Sequence, residues 1–149
     1  MVKYIDNTIR KLDYKPQHSH ESHKDANFYS SFPMDHPGHN VFDFMFYKLC
    51  AENIIDAFRL HQIYVNKYPA GELGQGDWHY DFSRLTALYY PSSWNSDWGG
   101  ETLFEDRSVE YKRNRFVIFD HDHKHKANKH RNPNDFRYTI AFKIDGKII

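Results

Sequence analysis

Beyond Leu60 the sequence consists of short apolar runs separated by turn residues, and this pattern restricts the possible folds more than any other feature. The runs have β-type composition, and clusters of Gly, Pro, Asn, Asp and Ser lie between them. They cover residues 62–68, 85–90, 101–104, 115–120 and 137–144. Because no helical period separates these strands, the pattern predicts an antiparallel sandwich or barrel.

The residues before this region have a different character. Residues 14–40 are polar and irregular, which predicts loops and short turns after a short helix. Between Val41 and Leu60 apolar residues recur at spacings of three, one or four, which predicts an amphipathic helix or two abutting helices. We therefore expect a mainly β protein with N-terminal helices, in which residues 1–60 support a β-core of residues 61–149. Because 149 residues suffice for one hydrophobic core, we expect a single domain.

Charge and cysteine content exclude several classes of function. Twenty Lys and Arg balance twenty Asp and Glu, so no basic excess is available for nucleic acid or an anionic membrane, and we expect neither as a partner. No window approaches the ~18 to 20 apolar residues of a membrane span, and the sequence starts without the apolar stretch of a secretory signal. Cys50, the one cysteine, excludes an internal disulfide and reads as a small core residue. These features predict a cytoplasmic protein.

Histidine is unusually abundant, with eleven residues, and one pair has the spacing of metal ligands. In an extended strand His79 and Asp81 point to the same face. A third ligand is expected from the end of the following apolar strand, where His121, His123, His125 and His130 compete. Two His and one carboxylate leave adjacent positions open on a metal, as in non-haem Fe(II) oxygenases. Taken alone, the pair also fits a solvated strand.

The N-terminal histidines have no such pattern. His18, His20, His23, His36 and His39 lack the carboxylate or cysteine support of a defined second metal site, so we predict a solvated loop there.

An ordered set of short motifs accompanies the His79-Tyr80-Asp81 sequence. In chain order the motifs are Tyr68-Pro69-Ala70-Gly71, His79-Tyr80-Asp81, Leu88-Tyr89-Tyr90, Gly99-Gly100-Glu101-Thr102, Phe116-Val117-Ile118-Phe119-Asp120, His125 and Arg137-Tyr138-Thr139-Ile140-Ala141-Phe142. Together they resemble the Fe(II)- and 2-oxoglutarate-dependent dioxygenases, in particular the prolyl 4-hydroxylase-like group. The resemblance extends from about Ile63 to Phe142 and implies a double-stranded β-helix core, the jelly-roll or cupin-like fold.

The resemblance also implies cofactors and residue roles. It implies Fe(II) and O₂, with 2-oxoglutarate as cosubstrate, and places His79, Asp81 and His125 on the metal, with His123 as the next candidate for the last position. Arg137 matches the basic residue that binds the distal carboxylate of 2-oxoglutarate, which suits its planar guanidinium. Thr139 shares its strand face, and Tyr68 and Tyr90 resemble tyrosines that line the cosubstrate pocket. Asn66 and Thr86 lie an even number of residues from Tyr68 and Tyr90 and so face the same side of their strands, which makes them candidate lining residues.

The implied activity is oxidative decarboxylation of 2-oxoglutarate to succinate and CO₂, coupled to hydroxylation of an unactivated C–H bond. The closest resemblance implies a peptidyl proline as substrate, and a free amino acid or other small molecule is the alternative within the same chemistry. Residues 71–77 and 91–98 are candidate lids. Trp94 and Trp98 lie in the second of these, where they are expected to pack in the core or rim, with a cap over a substrate cleft as the alternative.

Two further classes of function compete with this interpretation. A non-catalytic β-helix that senses a metal or small ligand would need no cosubstrate arginine. A zinc hydrolase would need three ligands and an activated water, but it has no use for Arg137 and Thr139.

Overall fold

The computed structural model describes residues 1–17, 28–31 and 40–149. The predicted solvated loop with His18, His20, His23, His36 and His39 lies outside these residues. The described residues form the helices α1 (Val2–Ile9) and α2 (Asn40–Ala51) and the strands β1 (Lys15–Gln17), β2 (Phe28–Ser31), β3 (Ile55–Tyr68), β4 (Leu85–Tyr90), β5 (Thr102–Phe104), β6 (Ser108–Val109), β7 (Arg115–Asp120), β8 (His125–Ala127) and β9 (Arg137–Ile148).

The strands form two antiparallel sheets, as the turn-separated apolar runs predicted. The larger sheet has the order β1-β2-β3-β9-β4-β7, and the smaller has the order β6-β5-β8. The long strands β3 and β9 pair from Tyr68 opposite Arg137 to Ile55 opposite Ile148. Strand β9 also pairs with β4, so β9 occupies the interior of the larger sheet. Residues at inward positions of β3, β9 and β4 therefore meet on one surface.

The larger sheet has one apolar and one largely polar face. Because side chains alternate along a strand, one face of β3, β4 and β9 packs against both helices and forms the main core. Its fully buried members include Ile5, Ile9, Phe42, Ile63, Val65, Ala87, Ile140, Phe142 and Ile144. Each large apolar side chain buried in this way contributes ~1.5–3 kcal/mol to stability. The opposite face of the same strands is free to line a functional pocket.

The helix predicted over residues 41–60 is wrong in its second half. Helix α2 ends at Ala51, and Asn53 follows with φ of 54° in the left-handed region, where Asn is among the residues best tolerated. From Ile55 the chain is already strand β3, paired with the end of β9. Ala57 and Phe58 therefore lie in a strand, because pairing along β9 outweighs their helical spacing.

The region predicted as loops also contains strands. Strands β1 and β2 extend the larger sheet beyond β3, and Pro16 lies in the outermost strand, the position at which a sheet tolerates proline. The N-terminal support of residues 1–60 is thus partly sheet. Strands β6 and β8 were also missed, since two or three residues of polar sequence carry no readable period. Among the described helices none is long and apolar enough to cross a membrane.

Candidate active site

The candidate metal ligands lie on two chain segments joined by an isolated β-bridge. The His79 N–H donates to the His125 carbonyl at 3.0 Å, and the His125 N–H donates to the His79 carbonyl at 3.0 Å. Asp81 follows on the same side of the chain, and its carboxylate oxygens lie 3.8 Å from His79 Nε2 and 3.5 Å from His125 Nε2. One ligand atom of each residue thus lies within 4.8 Å of the others.

The outer side of this bridge carries two contacts between lysines and aromatic rings. Lys126 Nζ lies 5.1 Å from the ring centroid of Trp78, and Lys124 Nζ lies 5.9 Å from that of Tyr80. Because alternate residues of an extended chain face opposite sides, these contacts lie opposite the imidazoles of His79 and His125. They tie the two segments together by cation–π attraction without occupying the ligand side.

Backbone carbonyls fix the tautomer of both imidazoles. His79 Nδ1 lies 2.8 Å from the carbonyl oxygen of Asp77, and His125 Nδ1 lies 3.0 Å from that of His123. A carbonyl oxygen only accepts hydrogen bonds, so each Nδ1 carries a proton, and Nε2, the nitrogen left to bind a metal, is the one that points toward Asp81. Such support of the second nitrogen is the usual way in which a protein orients a metal-binding histidine.

The charge states also suit a metal site. Burial lowers the pKa of His125 to about 4, against an opposing effect of Asp81, so His125 is neutral at pH 7. Burial by itself raises the pKa of Asp81, but Lys143, His125 and the Thr86 hydroxyl together lower it below its usual value. At neutral pH the cluster therefore offers a neutral imidazole and an ionised carboxylate, the donor types that non-haem Fe(II) sites use.

Arg137 is the second notable feature of the same pocket, because it is a buried cation. Its side chain is 1% exposed, its Nε donates to the Gly100 carbonyl at 2.6 Å, and its Nη2 donates to Thr102 Oγ1 at 3.1 Å. The rings of Tyr68, Tyr90 and Tyr111 surround the guanidinium at 5.2, 5.8 and 5.6 Å. Across the described part of the chain no carboxylate pairs with this guanidinium, so the pocket offers an uncompensated positive charge to an anion.

The structure brings most of the predicted pocket residues to this surface. Thr139, Tyr68, Asn66 and Thr86 line the same pocket as the ligand cluster and Arg137. Tyr90 lies behind that lining, where its hydroxyl is 2.7 Å from Thr102 Oγ1, the oxygen that also accepts from Arg137. Tyr90 thus contacts Arg137 with its ring and Thr102 with its hydroxyl.

The competing histidines lie apart from the ligand cluster. His123 Nδ1 is 2.6 Å from Asp120 Oδ1, and exposed His121 lies beside Asp122. Buried His130 donates from Nε2 to the Tyr68 carbonyl at 3.1 Å.

Trp94 and Trp98 pack at the rim. Their rings meet edge to face at 5.3 Å, and Trp94 also packs on Tyr111 at 4.6 Å.

Sequence reasoning missed Lys143 and Tyr111. Lys143 is 2% exposed, forms an ion pair with Asp81 Oδ2 and donates to Thr86 Oγ1 at 3.1 Å. Burial lowers the pKa of Lys143, and Asp81 opposes that effect. The available signal was strand alternation, because Lys143 faces the same side as Arg137 and Thr139 and lies between the apolar residues Phe142 and Ile144. Tyr111 donates its hydroxyl to the Tyr138 carbonyl and carried no such signal.

Two packed antiparallel sheets around a His-Asp-His cluster and a buried arginine define a metal-dependent oxygenase of the double-stranded β-helix class. Residues 63–144 match the family model described as the 2OG-Fe(II) oxygenase superfamily, and the chain belongs to this family. The enzyme accordingly uses Fe(II), 2-oxoglutarate and O₂, as its motifs implied. No curated protein sequence matches the chain.

Solved structures confirm the predicted jelly-roll fold. A prolyl hydroxylase of Trichoplax adhaerens, in complex with a peptide fragment of the oxygen degradation domain of hypoxia inducible factor, matches with a TM-score of 0.71 at 16% identity, covering 97% of this chain and 76% of that one. A Pseudomonas putida prolyl-4-hydroxylase gives 0.68 at 14% identity, with coverages of 98% and 86%. The viral collagen prolyl hydroxylase of Paramecium Bursaria Chlorella virus-1, bound to 2-oxoglutarate, gives 0.67 at 16%, with coverages of 96% and 88%.

Proposed function

We propose that this oxygenase hydroxylates an unactivated C–H bond, and that His79, Asp81 and His125 hold its iron. The observation that carries the proposal is buried Arg137, which lines the same pocket as the ligand cluster and has no carboxylate partner among the described residues. A pocket with metal ligands at one end and an unpaired guanidinium at the other fits a cosubstrate that is both a metal chelator and an anion.

The residues of the chain bind and orient the reactants. When bound, the iron centre supplies the activation of O₂ that couples decarboxylation of 2-oxoglutarate to oxygen insertion into the substrate. Arg137 binds the distal carboxylate of 2-oxoglutarate, and its Nε bond to the Gly100 carbonyl fixes the guanidinium plane. Thr139 shares the face of β9 with Arg137 and presents its hydroxyl to the same pocket. Tyr68 covers the guanidinium and excludes water from it.

The geometry of the ligands leaves room for the other reactants. His79 has an exposed side chain, whereas Asp81 and His125 are buried, so the cluster opens to solvent on the His79 side. Residues 72–78 lead directly into His79 at this opening. The primary substrate would approach the iron from this side.

We further propose a peptidyl proline as substrate. Support comes from three of the similar structures, which are prolyl hydroxylases, one of them in complex with a peptide fragment. An opening at the exposed ligand His79, rather than a closed cavity, suits an extended chain. A free amino acid or another small molecule is the competing substrate class.

The activity is tested first by anaerobic titration of metal-free protein with Fe(II) and 2-oxoglutarate. A chelated keto acid gives a weak visible charge-transfer band, which we expect in the natural protein and in His123→Ala, the matched control. The band should be lost in Asp81→Ala and His125→Ala. Tight Zn²⁺ binding with no band from Fe(II) and 2-oxoglutarate would instead indicate a hydrolase or a binding protein.

The substrate is tested separately with a panel of proline-containing peptides and free amino acids. Under turnover conditions we expect a peptide to gain one oxygen atom by mass spectrometry, with succinate formed in equal amount. Oxygen gain by free amino acids alone would overturn the peptidyl assignment and leave the hydroxylase assignment intact.

A further inference from the structure

A buried lysine contacts the carboxylate of the candidate metal ligand Asp81. Lys143 lies on β9 directly opposite Thr86 of β4, so the pairing of these strands fixes its position. Its side chain is 3% exposed, and the ring of Tyr64 lies 5.4 Å from its ammonium nitrogen. The two buried cations of β9 thus lie at separate ends of the pocket, Arg137 at the anion end and Lys143 at the metal end.

The two oxygens of Asp81 have different surroundings. Oδ2 accepts hydrogen bonds from Lys143 Nζ and from Thr86 Oγ1, the latter at 2.5 Å, and Lys143 also donates to Thr86. Oδ1 lies 3.8 Å from His79 Nε2 and Oδ2 lies 3.5 Å from His125 Nε2, so both oxygens face the ligand cluster, but both hydrogen-bond donors are on Oδ2. Lys143, Thr86 and Oδ2 therefore form a closed set of contacts, which fixes the rotation of the carboxylate about its own bond.

We propose that Lys143 is a positioning residue which, with Thr86, engages Oδ2 of Asp81 so that Asp81 presents only Oδ1 to the iron. This inference rests on the proposed role of Asp81 as a ligand. A carboxylate that bound through both oxygens would occupy one more position on the metal. By occupying the lone pairs of Oδ2, Lys143 and Thr86 keep that position open for the cosubstrate.

Lys143 has a second effect on the same ligand through its charge. Its ammonium group withdraws electron density from Asp81 and repels a divalent cation, so Lys143 weakens metal binding while it improves the geometry. Fold stability does not account for such a lysine, because replacing a buried ion pair by well-packed apolar groups is often neutral or stabilising. Lys143 therefore lowers the affinity for the metal and at the same time keeps coordination positions open on it.

The test uses Co²⁺ alone as a probe, without cosubstrate or turnover, in the natural protein and in Lys143→Met. The visible absorption of Co²⁺ reports coordination number, and a titration gives the dissociation constant. We expect Lys143→Met to bind Co²⁺ about tenfold more tightly, from the loss of a nearby positive charge. Its absorption should be weaker, because the freed carboxylate adds a ligand. A purely structural lysine would instead give weaker metal binding or an unchanged spectrum.

Three further variants complete the design. Lys143→Arg should restore the natural spectrum, and Lys147→Met on the exposed end of β9 is the matched control and should change nothing. If Lys143→Met fails to fold, Thr86→Val removes the other bond to Oδ2 and should shift the spectrum in the same direction. Unchanged Co²⁺ binding in Lys143→Met overturns this inference alone. Absence of Co²⁺ binding in the natural protein overturns the proposed metal site as well.

Discussion

Gly100 offers a sharp test of how the pocket holds its arginine. This residue has φ of +82°, and its carbonyl accepts the hydrogen bond from Arg137 Nε at 2.6 Å. A Cβ at this position would lie 3.3 Å from Arg137 Cδ and 3.2 Å from atoms of both Trp94 and His130. Gly100→Ala would therefore strain the backbone and push on the arginine at once.

Backbone strain changes folding stability, whereas displacement of the arginine changes cosubstrate affinity. Backbone strain in the left-handed region costs ~1–3 kcal/mol of folding stability, and overpacking adds ~1–3 kcal/mol. Displacement of the guanidinium by a few tenths of an ångström weakens its bonds to a bound carboxylate. Loss of about half of one charge-assisted hydrogen bond is ~1.4 kcal/mol, or about a tenfold weaker binding of 2-oxoglutarate.

Gly71 provides a control that separates strain from contact. It has the same φ of +82°, but a Cβ there would meet no heavy atom of the described residues within 4 Å. Gly71→Ala should lower stability by ~1–3 kcal/mol and leave cosubstrate affinity unchanged. Denaturant unfolding measures the first quantity, and anaerobic titration of the Fe(II) protein with 2-oxoglutarate measures the second. Equal cosubstrate affinity in the two variants would refute the reasoning.

Three other predictions follow from buried groups. Arg137→Met should weaken 2-oxoglutarate binding by about 100-fold, ~2.7 kcal/mol, with Co²⁺ affinity unchanged, since the proposed function places Arg137 at the anion and not at the metal; titration with each ligand checks this. Because the pKa of His125 is lowered to about 4, the unfolded chain takes up a proton below pH ~6.5 that the metal-free native protein excludes. This contribution to stability is complete above pH ~6.5 and is lost as the pH falls toward 4. The free energy of unfolding by denaturant should therefore fall between pH 7 and pH 5 by ~2 kcal/mol more in the natural protein than in His125→Asn. An equal fall in both proteins would contradict this prediction. Tyr111→Phe should lower the free energy of unfolding by ~1–2 kcal/mol, because the Tyr138 carbonyl loses its hydroxyl donor, and an unchanged denaturation midpoint would contradict this.

Strand period made much of the site predictable. His79 and Asp81 are two residues apart in sequence, and so are Arg137 and Thr139. Because residues i and i+2 of an extended chain point to the same side, each pair shares one face. The bounds of β4 and β7 agree with their apolar runs, since turn residues flank both. These features depend on local sequence alone.

The parts that failed depend on distant pairing. Residues 55–60 have helical spacing, yet they belong to β3 because the end of β9 pairs with them. The short strand β8 exists because of its neighbour β5, and its own composition is polar. Lys143 is the clearest case, since its partner Asp81 is remote in sequence and their contact depends on the β4–β9 register. No local pattern contains that information.

The bridge between His79 and His125 has a consequence for how the protein loses and regains its metal. Two main-chain hydrogen bonds and the outer Trp78–Lys126 and Tyr80–Lys124 contacts join the segments without any ion. The conformational entropy of bringing the ligands together is therefore lost when the chain folds, and not when the metal binds. If His79 and His125 hold the iron as proposed, loss of the metal would leave this framework in place. We expect the enzyme to be reconstituted by simple addition of metal to the folded protein, without a refolding step.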